Sequence, residues 1–161
     1  MTNIESQIEV SVVKKLRGIR ANSLVASVML LIELVLGINV NLYAKLPTSD
    51  QGKGVVSAFG RAVTGGPIVL TLHALLGTVL LLSAITLVAR TWSIHRTSLL
   101  VLAIVGLVAI LMAWFSGARF VGTMANGASM AMGISTSVAI LCYLVVLFVA
   151  PAYSYGIKGD G

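Results

Sequence analysis

The sequence is poor in charged residues. Of its 161 residues only 10% are charged, 11 Lys and Arg against 5 Asp and Glu, whereas about 25% is usual for a soluble domain. Residues of the apolar set make up 58%, and the mean hydropathy is +1.02. So few charged side chains do not cover a surface that faces water, whereas a lipid-facing surface needs no such cover. The composition argues against a soluble domain and indicates a membrane protein.

The sequence also lacks the motifs of common enzymes. Its single cysteine, Cys142, lies within an apolar run, so no disulfide forms within the chain. There is no Walker loop, no H-E-x-x-H, no paired-cysteine motif, no Ser/His/Asp set and no nucleotide-binding glycine motif. The net charge of +6 is not arranged as a basic stripe with interleaved aromatics. Hydrolysis, ATP-driven work and nucleic-acid binding are therefore unsupported, which favours a protein that is not an enzyme.

Four apolar runs are present, and each is long enough to cross a bilayer. About 20 apolar residues span the hydrocarbon as a helix. The runs are rich in Leu, Val and Ala and show no alternation of period two, which indicates helices and not barrel strands. The expected fold is all-α, a polytopic membrane protein with a four-helix transmembrane domain over 21–151. Its predicted spans are 21–43, 67–89, 98–120 and 128–151.

The basic residues at the span ends predict the orientation of the chain. With the N-terminus inside, seven Lys and Arg lie on the inner side and four on the outer side. The positive-inside rule therefore predicts cytoplasmic N- and C-termini in a plasma-membrane protein. The inner residues are Lys14, Lys15, Arg17, Arg20, Arg90, Arg96 and Lys158, and the outer ones are Lys45, Lys53, Arg61 and Arg119.

Three segments outside the spans have patterns of their own. In residues 1–20 apolar side chains recur every three to four positions, which predicts an amphipathic helix on the inner leaflet or, alternatively, a helix that docks on a partner. Residues 55–63, bounded by glycines and Pro67, are expected to form a short surface helix at the outer end. Residues 152–161 are predicted to be a cytoplasmic tail with an aromatic anchor at the membrane interface.

Glu33 is the most costly polar residue in the spans. It lies about twelve residues into the first span, near the middle of the bilayer, and Gly37 and Asn41 follow on the same helical face. One interpretation is a carboxyl group that relays protons or binds an ion, and the other is a hydrogen-bonded residue that helps helices pack. Arg119, near the outer end of the third span, is a candidate partner for Glu33.

His73 is the second ionisable residue within a span, and Gly77 follows one turn later on its face. A histidine at such a position is either a structural hydrogen-bonding residue or an axial ligand of haem iron. A second axial ligand would come from Met130, Met132 or the same histidine of a second subunit. His95 lies in the inner loop, too far from His73 for both to bind one metal ion.

Two segments of the first half carry a resemblance to a known family. The segment IELVLG over 32–37, a glycine-rich outer loop and PIVLTLHALL over 67–76 resemble one helix pair of the haem A synthase family. By that resemblance His73 is a ligand of a b-type haem at the outer face, although Glu33 stands where the family usually has Gln. The motifs N-L-Y-x-x-L-P and S-G-x-x-F also resemble segments of small four-span proteins of prokaryotes.

Three classes of function follow from these observations. The first is a non-catalytic subunit or scaffold of a membrane complex or homo-oligomer, for which small-residue ladders in the third and fourth spans provide packing surfaces. The second is a haem-binding redox protein that uses His73. The third is a small transporter or proton-conducting element that uses Glu33. The subunit is the leading prediction, and the other two are its alternatives.

Overall fold

The computed structural model describes residues 3–43, 52 and 54–150, and in this part of the chain all regular structure is helical. The predicted all-α class is therefore confirmed for the described residues, among which no strand occurs. The predicted tail over 152–161 lies outside the described residues. The helices are α1 (Asn3–Tyr43), α2 (Val55–Gly65), α3 (Ile68–Trp92), α4 (Thr97–Thr123) and α5 (Asn126–Val149).

Four of the helices in the described part of the chain, α1, α3, α4 and α5, are long and apolar enough to cross a membrane. The shortest, α5, has 24 residues. At about 1.5 Å per residue it is roughly 36 Å long, and the hydrocarbon core is about 30 Å thick. Each long helix contains most of one predicted span, which confirms a helix bundle with four membrane-length helices.

The four long helices form a ring around the larger of two apolar clusters. Helix α1 packs against α3 and α5, and α4 packs against the same two helices from the other side. Small residues allow α4 and α5 to approach each other closely. Gly106 of α4 faces the buried ring of Tyr143, and a Cβ atom at this glycine would lie 2.7 Å from Tyr143 Cε1.

Helix α2 lies across one end of the bundle, which we call the α2 end. Its buried residues Ala58 and Ala62 face α3 and α4. The Thr71 hydroxyl donates a hydrogen bond of 2.9 Å to the Ala62 carbonyl, and the Gly52 amide donates one of 2.9 Å to the Gly122 carbonyl. The short helix predicted over 55–63 is thus present, and it extends two residues further.

Two arginines connect the helices at the other end, which we call the opposite end. Arg20 Nη1 donates a hydrogen bond to the carbonyl of Ala150, directly after α5. Arg90 Nη1 donates one of 3.1 Å to the carbonyl of Gly18 in α1. Carbonyls at a helix C-terminus have no partner within the helix, so the guanidinium of Arg20 satisfies one of them.

The separate amphipathic helix predicted over 1–20 is not supported. Helix α1 runs through without a break, and Leu16 and Ile19 of its apolar stripe are at most 1% exposed within the bundle core. The spacing of apolar residues correctly identifies the buried face of the helix. This face is covered by other helices of the bundle and not by the membrane interface. Before residue 43 there is no proline and no pair of adjacent glycines that would end the helix, so it continues into the first span.

Candidate functional site

Glu33 lies on the inward face of α1 and is 9% exposed. It stands ten residues before Tyr43, where α1 ends, so it is about 15 Å from the α2 end of this helix. This distance is about half the thickness of the hydrocarbon core. The carboxyl group therefore lies near the middle of the membrane-length part of the bundle.

The partner of Glu33 is His73 of α3. Glu33 Oε1 lies 3.0 Å from His73 Nδ1, and both side chains are largely buried. The distance is that of an ion pair, but the angle is not that of an aligned hydrogen bond, and Glu33 Oε2 has no hydrogen-bond partner among the described residues. The candidate partner Arg119 is exposed on α4, and no ion pair joins it to Glu33 among the described residues.

Two glycines make room for this pair in a reciprocal way. Gly37 lies one turn after Glu33 and faces His73, whereas Gly77 lies one turn after His73 and faces Glu33. A Cβ atom on Gly77 would lie 3.0 Å from Glu33 Oε1, and one on Gly37 would lie 3.2 Å from His73 Cε1. Each glycine thus leaves space for the ionisable side chain of the facing helix, which is how α1 and α3 accommodate both groups between them.

Met132 of α5 completes the immediate surroundings of the pair. Its Cε lies 3.5 Å from the Cβ position of Gly37, and its Sδ lies 3.2 Å from that of Gly117 in α4. Of the two methionines singled out in the sequence, Met132 is therefore at the site. Met130 is 68% exposed and lines neither of the cavities described below.

Two cavities meet at the pair. The central cavity has a volume of about 80 Å³ and lies inside the ring of helices. The side cavity, of about 140 Å³, lies between α1 and α5. Both are lined by Glu33, Gly37, His73, Met132 and Thr136.

The central cavity is apolar and closed toward the opposite end. Phe59 of α2, Trp114 and Phe120 line it toward the α2 end. Its floor consists of Leu30, Leu80 and Ile110, none of which is more than 4% exposed. These three side chains form an apolar layer that separates the Glu33–His73 pair from the opposite end.

The side cavity is more polar and reaches the surface of the bundle. Asn41, in the last turn of α1, is exposed and lines it together with the partly exposed Ser129 near the start of α5. The hydroxyl of Thr136 also lines it but donates a hydrogen bond of 2.9 Å to the Met132 carbonyl. Asn41, predicted on the face of Glu33, thus lies at the exposed end of this cavity, toward the α2 end.

A haem does not fit this packing. The edge of the His73 ring that carries Cε1 and Nε2 lies against Gly37, and Met132 Cε lies beside the same glycine. The central cavity, at about 80 Å³, is well below the roughly 300–1,000 Å³ of typical cofactor sites. The residues offer an imidazole and a thioether but no space for the macrocycle between them.

No cluster of three metal-ligand side chains is present in the described ranges. Groups of three or more His, Cys, Asp or Glu do not occur among residues 3–43, 52 and 54–150. His95 lies in the turn between α3 and α4 at the opposite end, with a positive φ of 55°. As expected from helix length, it is remote from His73.

No family model, curated protein or solved structure matches this chain. The resemblance to the haem A synthase family therefore stays a prediction. The candidate site is a buried carboxyl and imidazole pair between two cavities.

The sequence singled out each member of the pair but not their contact. The sequence supports a separate hypothesis for each residue, ion or proton binding for Glu33 and haem binding for His73. The signal that joins them is the repeated spacing, because each is followed by a glycine four residues later. Such a glycine on an inward face allows a side chain of a neighbouring helix to approach the backbone.

Proposed function

We propose that this protein is a small membrane transporter or proton-conducting element whose Glu33 and His73 side chains together bind and release a proton. The observation that carries the proposal is the 3.0 Å contact between the two groups inside the bundle. An ionisable side chain at the middle of a transmembrane helix costs about 2.5–3.5 kcal/mol on insertion scales and is retained mainly for function.

The pair is suited to hold one proton. With one proton present, the two groups are either a carboxylic acid beside a neutral imidazole or a carboxylate beside an imidazolium. Both forms have no net charge, and an apolar surrounding favours a neutral site over a charged one. A second proton, or the loss of the first, leaves a net charge that water or another ion must stabilise.

Access to the pair is expected from the α2 end. The side cavity connects the pair to the exposed Asn41, whereas Leu30, Leu80 and Ile110 close the central cavity toward the opposite end. Passage across the whole membrane therefore requires a second arrangement of the helices in which this apolar layer opens. The distribution of Lys and Arg suggests that the α2 end faces outward and that both termini are cytoplasmic in the plasma membrane.

Infrared difference spectroscopy of the purified protein between high and low pH tests proton binding directly. A protonated carboxyl group has a C=O band that a carboxylate lacks. We expect a band that changes with pH in the wild type and is absent in Glu33→Gln. The matched control is Glu9→Gln, the same change before the membrane-spanning part of α1. The proposal is wrong if the spectra of Glu33→Gln and the wild type are the same.

Reconstituted protein tests transport. Vesicles that contain a pH-sensitive dye are expected to acidify faster with the wild type than with Glu33→Gln or His73→Asn. His95→Asn is the control for the histidine variant, since Asn also tolerates the positive φ at that position. Proton uptake that persists in Glu33→Gln would contradict the role of the carboxyl group.

The leading sequence-based prediction, a non-catalytic subunit or scaffold, stays a proposal beside this one. It is supported by the small-residue face of α5, because nothing lies within 4 Å of the Cβ position of Gly133 and Ser137 is exposed, so another membrane helix can approach closely there. Its partners would be a second copy or another membrane protein. A stable complex isolated from native membranes, unchanged by Glu33→Gln, would favour it.

A further inference from the structure

We propose that the central cavity binds a compact monovalent organic ammonium ion, which takes the place of the proton held by Glu33 and His73. This inference rests on the proposed function, because it assumes that the pair binds a proton. It assigns the class of ligand that the site exchanges for that proton.

The first observation is the free oxygen of Glu33. Oε2 is buried and has no hydrogen-bond partner among the described residues, and Glu33 lines the central cavity. A carboxylate oxygen accepts hydrogen bonds, and a buried acceptor without a donor is unfavourable. An ammonium group supplies both N–H donors and a positive charge, and such charge-assisted hydrogen bonds are among the strongest.

The second observation is the aromatic lining. The rings of Phe59 and Trp114 have centroids 5.0 Å apart and are inclined at 43°, and both residues line the cavity. Aromatic faces attract organic cations, and they also cover the alkyl groups that such a cation carries. The cavity therefore provides an anionic group near its floor and an aromatic, apolar surface toward α2.

The charges balance only for a monovalent cation. Among the described residues that line the two cavities, the ionisable ones are Glu33 and His73. Helices α2 and α4 line the central cavity with uncharged residues, which include Phe59 and Trp114. The charged residues of these two helices, Arg61 and Arg119, are exposed and line neither cavity. When the ammonium ion enters, the pair releases its one proton to water, and the carboxylate, the neutral imidazole and the cation again have no net charge.

Size limits the ligand to a compact ion. The central cavity of about 80 Å³ excludes large dyes and drugs. A divalent metal ion is also unsuited, because it needs several oxygen ligands and the described residues provide no group of three or more ligand side chains. A suitable probe is tert-butylammonium, since tert-butanol has nearly the same size and shape without the charge.

Binding can be followed through Trp114. The chain has two tryptophans, and Trp92 lies at the opposite end, so Trp92→Phe leaves Trp114 as the fluorescent reporter. In weakly buffered detergent solution, tert-butylammonium is expected to change this fluorescence and to release about one proton per bound ion. Because proton and cation compete, the apparent Kd should rise about tenfold for each unit that the pH falls in the range where the pair is protonated.

The controls separate this inference from the proposed function. Glu33→Gln should bind tert-butylammonium no better than tert-butanol and should release no proton. Equal binding of both compounds to Trp92→Phe, or binding without proton release, would overturn the inference, and neither result requires a substitution at the site. If tert-butylammonium does not bind but the infrared band of Glu33 still changes with pH, the ligand class is wrong and the proton-binding site stands. If that band is absent, the proposed function fails as well.

Discussion

Gly77 and Glu33 are in direct contact across the interface of α1 and α3, and a Cβ atom on Gly77 would lie 3.0 Å from Glu33 Oε1. The carboxyl group occupies the space that a side chain at position 77 would take. From this position it also lies 3.0 Å from His73, so the glycine sets where the buried carboxyl group is held.

Gly77→Ala is therefore expected to change function more than stability. The added methyl group meets the end of a flexible side chain, which can turn away at a cost of about 1 kcal/mol or less. The turn moves the carboxyl group away from His73, so vesicle acidification should fall several-fold. Gly60→Ala is the control, since nothing lies within 4 Å of its Cβ position. Unchanged acidification in Gly77→Ala would contradict the positioning role of this glycine.

Gly106→Ala, in contrast, is expected to change stability more than function. Its Cβ would lie 2.7 Å from the ring of Tyr143, which is 1% exposed and has no space to move. Overpacking of this kind costs about 1–3 kcal/mol. The free energy of unfolding in mixed detergent micelles should decrease by this amount relative to Gly60→Ala. A stability equal to that of the control would show that α4 and α5 are less closely packed than the structure indicates.

Arg20→Ala should loosen the opposite end of the bundle. It removes the hydrogen bond to the Ala150 carbonyl, and hydrogen bonds of charged groups contribute about 1.5–3 kcal/mol. Arg17→Ala removes the same charge from an exposed position of the same helix and serves as the control. Hydrogen exchange at the end of α5 should become faster in Arg20→Ala and stay unchanged in Arg17→Ala. Equal exchange in both variants would contradict the role of this contact.

Met132→Ala is expected to enlarge the ligand range of the site. The Met132 side chain lines both cavities, so its truncation should join them into one larger space. Tetraethylammonium should then bind, as measured by Trp114 fluorescence, whereas the wild type should exclude it. Met130→Ala truncates an exposed methionine two residues away and should behave as the wild type. Binding of tetraethylammonium to the wild type would show that Met132 does not limit the space.

The absorbance spectrum tests the haem hypothesis. Because the imidazole of His73 packs against Gly37 and the central cavity is small, protein expressed with ample haem is expected to show no Soret band. A Soret band that is lost in His73→Ala and retained in His95→Ala would show that the bundle opens to admit the macrocycle. That result would restore the function that the family resemblance implies.

Much of the fold follows from local properties of the sequence. The apolar runs predict helices, since backbone groups in lipid must form hydrogen bonds within their own segment. The glycines and Pro67 around residues 55–65 predict the short helix α2 by the same kind of local signal. The error at residues 1–20 arose because an amphipathic pattern shows that one face is buried but not what covers it. Leu16 and Ile19 are covered by other helices.

By itself, the sequence determined that the chain forms membrane-length helices and that Glu33 and His73 are the costly groups within them. Both conclusions depend on residue type and on position along one helix. Only the tertiary structure decided that these two residues meet, that Met132 and not Met130 lies beside them, and that Arg119 does not. Contacts between residues 40 positions apart depend on how each helix is rotated and paired, which is set by packing at Gly37, Gly77 and Gly117 across several helices.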